Sequence, residues 1–128
     1  SFGTHLNANL LHRDLKRIGK QNIGGNRFHF LLFDVEKTPK VLSENSLKYD
    51  STLGFAEQIG FRRGTCYPFF LYDFADDSIS DVLEIPLTIM DTTLFHTKYM
   101  NISPQNNWEN IADLTTEVKK FHGVLTLL

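Results

Sequence analysis

Two side chains in the N-terminal half stand where chemistry is commonly done, Arg27 and Asp50. Arg27 precedes the apolar run FHFLLF (28–33), and Asp50 follows Leu47 and Tyr49 in a second strand-like stretch. Where apolar strands alternate with helices, reactive groups collect at strand ends and in the loops that follow them. A guanidinium at such an end can hold a carboxylate or an anionic substrate. It can equally form a surface salt bridge, which is common and weak. A carboxylate in a segment as apolar as that around Asp50 must be hydrogen-bonded or paired. It is then either a turn aspartate receiving backbone donors or a carboxylate that orients a histidine or arginine. The residues alone leave both readings of each side chain open.

Other groups rank below these. His29 shares a strand face with Arg27, and a lone strand histidine is more often packed and hydrogen-bonded than a ligand. The histidines at positions 5, 12, 29, 96 and 122 are scattered, which does not suit a zinc site of three or four converging ligands. Tyr67, Phe69, Phe70 and Tyr72 can stack on a pyranose or pack beneath a lid, and packing is the commoner use. Cys66 has no evident base beside it and reads as a small core residue.

The elements that must position these groups follow from periodicity. Leu10, Leu11, Leu15 and Ile18 predict an amphipathic helix, capped by Asn7 or Asn9 and ended by Gly19. Gly24 and Gly25 then lead into residues 28–33, apolar on both faces and expected to be a central strand. Thr38 and Pro39 predict a helix start that runs to about Asn45, with Thr38 as cap. A short strand is expected around 47–50, a loop or single helical turn over 54–60, another short strand over 61–66 and an ordered surface loop over 67–80. Residues 82–90 read as a strand whose Pro86 places it at an edge or bulge. Ser103 and Pro104 open a helix with Trp108, Ile111, Leu114, Val118 and Phe121 on one face, stopped by Gly123, and residues 124–128 follow as a strand.

This β–α–β order predicts an α/β fold. With 128 residues the chain has about half the length of a full (β/α) barrel, which needs roughly 200 to 250. Beginning in a loop-like stretch and ending in the strand-like VLTLL (124–128), it reads as a single partial domain over 1–128, truncated at both ends. The 41% hydrophobic and 22% charged residues are sufficient for a packed core without staples. Thirteen basic against fifteen acidic residues leave a formal charge of −2, which is no footprint for nucleic acid. No apolar run reaches the roughly 20 residues of a membrane span, and the single cysteine excludes an internal disulfide.

The run GNRFHFLLFDVEKTPKVLSENSLKYDSTLGFAEQIGFRRGTCYPFFLYDF (25–74), followed by EIPLTIMDTTL (84–94), resembles the polysaccharide deacetylase family, whose catalytic unit is the NodB homology domain. It is similar to a bacterial subgroup with an Arg-x-His-aromatic run, a Tyr-Asp-Ser-Thr run and a Gly-Phe-Arg run in this order. The resemblance implies a partial (β/α) barrel of that type, lacking its first and last strands. It implies a parent enzyme that hydrolyses acetyl groups on carbohydrate with a divalent metal, zinc above others, in the bacterial cytoplasm or cell envelope. Arg27 then takes the catalytic role of holding the base and Asp50 that of tuning an acid histidine, while His29, Phe30 and Arg62 fall at substrate-binding positions. His29 and Phe30 stand where the family's motif has proline and tyrosine. None of the family's metal ligands falls within the chain, so these residues are expected to bind no metal and to be inactive alone. A non-catalytic carbohydrate-binding or scaffold domain is the alternative.

Overall fold

The computed structural model of the chain describes residues 6–19, 22–106 and 108–128. It is a mixed α/β protein whose residues group into two compact units. The first comprises the residues up to Thr52 together with Phe69–Glu84; the second comprises Leu53–Pro68 and Ile85–Leu128.

The first unit opens with helix α1, Ala8–Ile18. Asn7 caps it, its side chain accepting from the Leu10 N–H at 3.1 Å, and Gly19 ends it in the left-handed region at φ +67°. There glycine alone is unstrained. Helix α2, Thr38–Glu44, carries Pro39 in its first turn, where the missing N–H costs no hydrogen bond. Its start is organised one turn earlier than expected. Asp34 Oδ1 accepts from the Glu36 and Lys37 N–H groups, and Thr38 Oγ1 accepts from Asp34 N rather than capping the helix.

Four strands form one sheet in the order β1-β2-β4-β3. They are β1 Gly25–Asn26, β2 Tyr49–Asp50, β3 Phe69–Asp73 and β4 Ser78–Glu84. The first, second and fourth run parallel, and β3 pairs antiparallel with β4 at the edge. Helix α2 packs on β4 and β3, and the core beneath it holds Val41, Leu42, Leu47, Leu71 and Val82.

Two expectations fail here. The apolar run 28–33 is not a central strand: the ladder stops at Asn26, and His29–Leu31 is a 3-10 turn with Phe30 and Leu31 at φ +58° and +51°. Phe28 is buried at 1% exposure while Phe30 is 82% exposed, and of the whole run only Phe28 enters the core. Residues 67–80 are not a loop but most of a hairpin. Leu71 and Asp73 point inward and Phe70 and Tyr72 outward, the period of two that makes a half-buried strand. Asp73 Oδ1 accepts from the Ala75 and Asp76 N–H groups and shapes the turn.

In the second unit, residues 61–66 form turns rather than the expected strand. Pro86 lies beyond the end of β4, so it interrupts no ladder. Ile89 and Leu127 form a parallel bridge, and the Thr88 and Ile89 N–H groups donate to Thr126 O at 3.3 and 3.2 Å. A short helix α3, Asp91–Phe95, was not signalled by periodicity. Helix α4, Trp108–Lys120, follows a 3-10 turn at Pro104–Asn106. Only Val118 of its apolar stripe is buried, and Trp108 is 73% exposed. Gly123 ends this region, its N–H donating to Val118 O at 2.9 Å. A side chain there would overlap Cys66, which is buried as expected.

Candidate functional site

The parallel strands β1, β2 and β4 end in a single row of polar residues. Register places Asn26 beside Asp50 and Asp50 beside Glu84. Backbone bonds fix that register: Lys48 N and Tyr49 N donate to Gly24 O, Ser51 N to Asn26 O, and Leu83 N to Lys48 O. Strands β1 and β2 approach so closely that a Cβ at Gly25 would overlap the Tyr49 ring. Such a row at the carboxyl ends of parallel strands occupies the edge where α/β proteins place their ligands.

Asp50 is fully buried, as are Thr52 and Glu84. Asn26 Nδ2 donates to Asp50 Oδ1 at 2.8 Å, and Thr52 N donates to Oδ2 at 3.0 Å. Burial pushes the Asp50 carboxyl above its ordinary value, against the opposing pull of these hydrogen bonds. Thr52 completes the frame by accepting from the Phe28 N–H at 3.0 Å.

Arg27 lies beside this row. Its Nε donates to Ser51 O at 2.9 Å and its Nη2 to Ser51 Oγ at 3.0 Å. The guanidinium is thus laid along the end of β2, where the sequence suggested a carboxylate partner. Arg27 and Asp50 belong to neighbouring strand ends, and the two-residue segment Asp50–Ser51 touches both Asn26 and Arg27. His29 and Phe30 project into solvent just after Arg27, their ring centroids 4.1 Å apart and tilted by 37°. His29 is therefore not the packed strand histidine that its neighbours suggested, because the left-handed turn at Phe30 carries both rings outward.

The other singled-out residues lie in the second unit. Arg62 Nη1 donates to Gly54 O at 3.4 Å. Asp91 Oδ1 bonds the backbone and hydroxyl of Thr92 at the start of α3. An open apolar cleft of about 350 Å³ lies between Leu94, Phe95, Trp108, Ile111 and the segment at Leu127, with Asp91 as its charged lining residue.

Among the described residues no three His, Cys, Asp or Glu side chains are arranged to hold a metal ion. His5 lies outside those residues. Also among them, no helix is long and apolar enough to cross a membrane. Sequence reasoning overlooked Asn26 and Glu84. The available signal for Glu84 was a lone carboxylate inside the apolar run Val82–Leu87, which a buried partner has to explain.

The fold and site thus define an α/β protein with a buried carboxyl row at the carboxyl edge of its parallel strands. No family model, no curated protein and no solved structure matches the chain.

Proposed function

We propose that this chain is part of a carbohydrate deacetylase of the polysaccharide deacetylase type, built on a (β/α) barrel and acting on acetylated sugars. The observation that supports it best is the meeting of Arg27 and Asp50 at adjacent ends of parallel strands. These are the two residues to which the motif resemblance assigns catalytic roles. In this reading the Arg27 guanidinium, preset by Ser51, orients the carboxylate that acts as general base, and the buried Asp50 carboxyl tunes the imidazole that protonates the leaving group. The exposed His29 and Phe30 rings beside Arg27 offer an aromatic face against which the apolar face of a pyranose can stack.

The reaction class calls for a divalent metal that polarises the acetyl carbonyl and supplies hydroxide. The described residues do not form a ligand set for it, so no step is assigned to a metal held by them.

A second reading, a non-catalytic carbohydrate-binding domain, is favoured by the exposed Phe70 and Tyr72 on one face of β3 and Phe74 just after it. The two separate in one assay. The protein carrying these residues, supplied with zinc, is incubated with N-acetylglucosamine oligosaccharides, and both free acetate and oligosaccharide binding are measured. Acetate release that collapses in Arg27→Ala supports the deacetylase. Binding without acetate selects the second reading, and neither binding nor release removes both.

A further inference from the structure

The apolar cleft of the second unit takes no part in the roles assigned above. Ile89 pairs in parallel with Leu127, the Leu128 N–H donates to Ile89 O, and the Asp91 N–H donates to Leu128 O, each of these two bonds at 2.9 Å. This lacing sets the two leucines beside the start of α3. Phe95 closes α3 and Trp108 opens α4, and both line the same cleft. Ile89 and Leu94 are buried, whereas Phe95, Trp108, Leu127 and Leu128 are exposed around them. Large apolar side chains gathered at one place on a surface mark an interaction site, unlike apolar residues scattered singly. The volume of about 350 Å³ lies at the small end of the range for small-molecule sites, roughly 300 to 1,000 Å³. It suits a compact ligand.

One polar group decides which ligand. Thr92 donates twice to Asp91 Oδ1, from its backbone N–H and from its hydroxyl, and Oδ2 is left for another donor. Among the described residues no lysine, arginine or histidine lines the cleft or lies within ion-pairing distance of Asp91. A purely apolar occupant would strip water from this carboxylate and leave it unpaired, which is costly. An anion would be repelled by it. A cation is attracted by the carboxylate and also by aromatic rings such as those of Phe95 and Trp108, while an attached hydrocarbon chain covers Ile89, Leu94 and Leu127.

We propose that this cleft binds an amphiphilic amine, with its ammonium group at Asp91 and a short hydrocarbon body against Leu94, Phe95 and Trp108. The site is independent of the deacetylase reading, since none of Arg27, His29, Phe30, Asp50 or Arg62 lines it.

Trp108 is the single tryptophan of the chain, so its fluorescence, excited apart from that of tyrosine, reports on this cleft. The intact chain is titrated at constant ionic strength with hexylammonium, hexanol and hexanoate, which share one hydrocarbon body and differ in charge. Hexylammonium should change the Trp108 emission saturably, with an affinity about tenfold above that of hexanol, and hexanoate should bind more weakly than either. Asp91→Asn keeps the shape and removes the charge, and it should bring hexylammonium down to the affinity of hexanol. No saturable response to hexylammonium, equal affinity for the three ligands, or tighter binding of hexanoate overturns the proposal. So does an Asp91→Asn variant that keeps the preference for the amine. The ranking of the three ligands is read on the wild type and does not depend on the variant folding. Sedimentation velocity of the wild type tests the rival occupant: a dimer whose Trp108 emission is already that of a shielded indole, and which hexylammonium leaves unchanged, would assign the cleft to a second copy and overturn the proposal.

Discussion

Asn26 Nδ2 lies 2.8 Å from Asp50 Oδ1, and this hydrogen bond ties the carboxyl ends of β1 and β2 at the position where the sheet's polar row begins. Asn26→Ala removes a donor from a buried carboxyl. Leaving such a group short of a partner costs about 1–3 kcal/mol, so the variant should lose stability of that order in urea titration. An unchanged midpoint would mean that the Asn26 bond contributes nothing to holding the row.

Phe28 and Phe30 lie in one apolar run but differ completely in exposure, at 1% and 82%. Phe28→Ala should cost about 3–5 kcal/mol as a core truncation. Phe30→Ala should stay within about 0.5 kcal/mol, as surface changes do. Equal losses on chemical denaturation would restore the continuous central strand that the sequence suggested.

Arg27 tests the functional reading. With its Nε and Nη2 both on Ser51, Arg27→Lys keeps the charge but cannot reproduce the two-pronged geometry. In an acetate-release assay Arg27→Ala should lower kcat by about 100- to 10,000-fold with KM little changed, because a base-orienting group acts in the transition state. Arg27→Lys should recover only part of that loss. Full activity in either variant would make the arginine structural.

Asp34 sets an acid limb for the stability of the first unit. Its carboxyl lies below the ordinary value, first because the Glu36 N–H donates to it, with further help from the Lys37 N–H and ammonium against a burial effect of opposite sign. A depressed folded value means that the contribution is present above the unfolded value of about 3.9 and is lost as pH falls through the folded one. Asp34→Ala should therefore lower the denaturation midpoint at neutral pH and flatten its decline on acidification. A variant whose acid limb matches the wild type would show that the turn before α2 does not depend on this carboxylate.

Gly123 and Cys66 form a close-packed pair in the second unit, where a Cβ on the glycine would meet both the cysteine side chain and its backbone oxygen. Gly123→Ala should destabilise by about 1–3 kcal/mol through overpacking. Adding Cys66→Ala should recover part of that, since it removes the sulfur but leaves the backbone contact. A double-mutant cycle measures the coupling, and zero coupling would mean that the residues do not share this space.

Sequence by itself determined the local structures. Asn7, Gly19 and the leucine spacing specify α1, Pro39 marks the first turn of α2, and Gly123 closes the region after α4, because caps and helical periodicity depend on residues within a turn or two of one another. The site was half legible for the same reason: Arg27 and Asp50 stand out beside apolar runs. What only the tertiary structure decided are the pairings across the chain. The exposed turn at His29–Leu31, the hairpin of β3 and β4, and the meeting of Asn26, Asp50 and Glu84 follow from strand register and from which side of a run finds a core. An apolar stretch carries no record of the partner that will bury it, and a carboxylate carries none of the second carboxyl that strand register will set beside it.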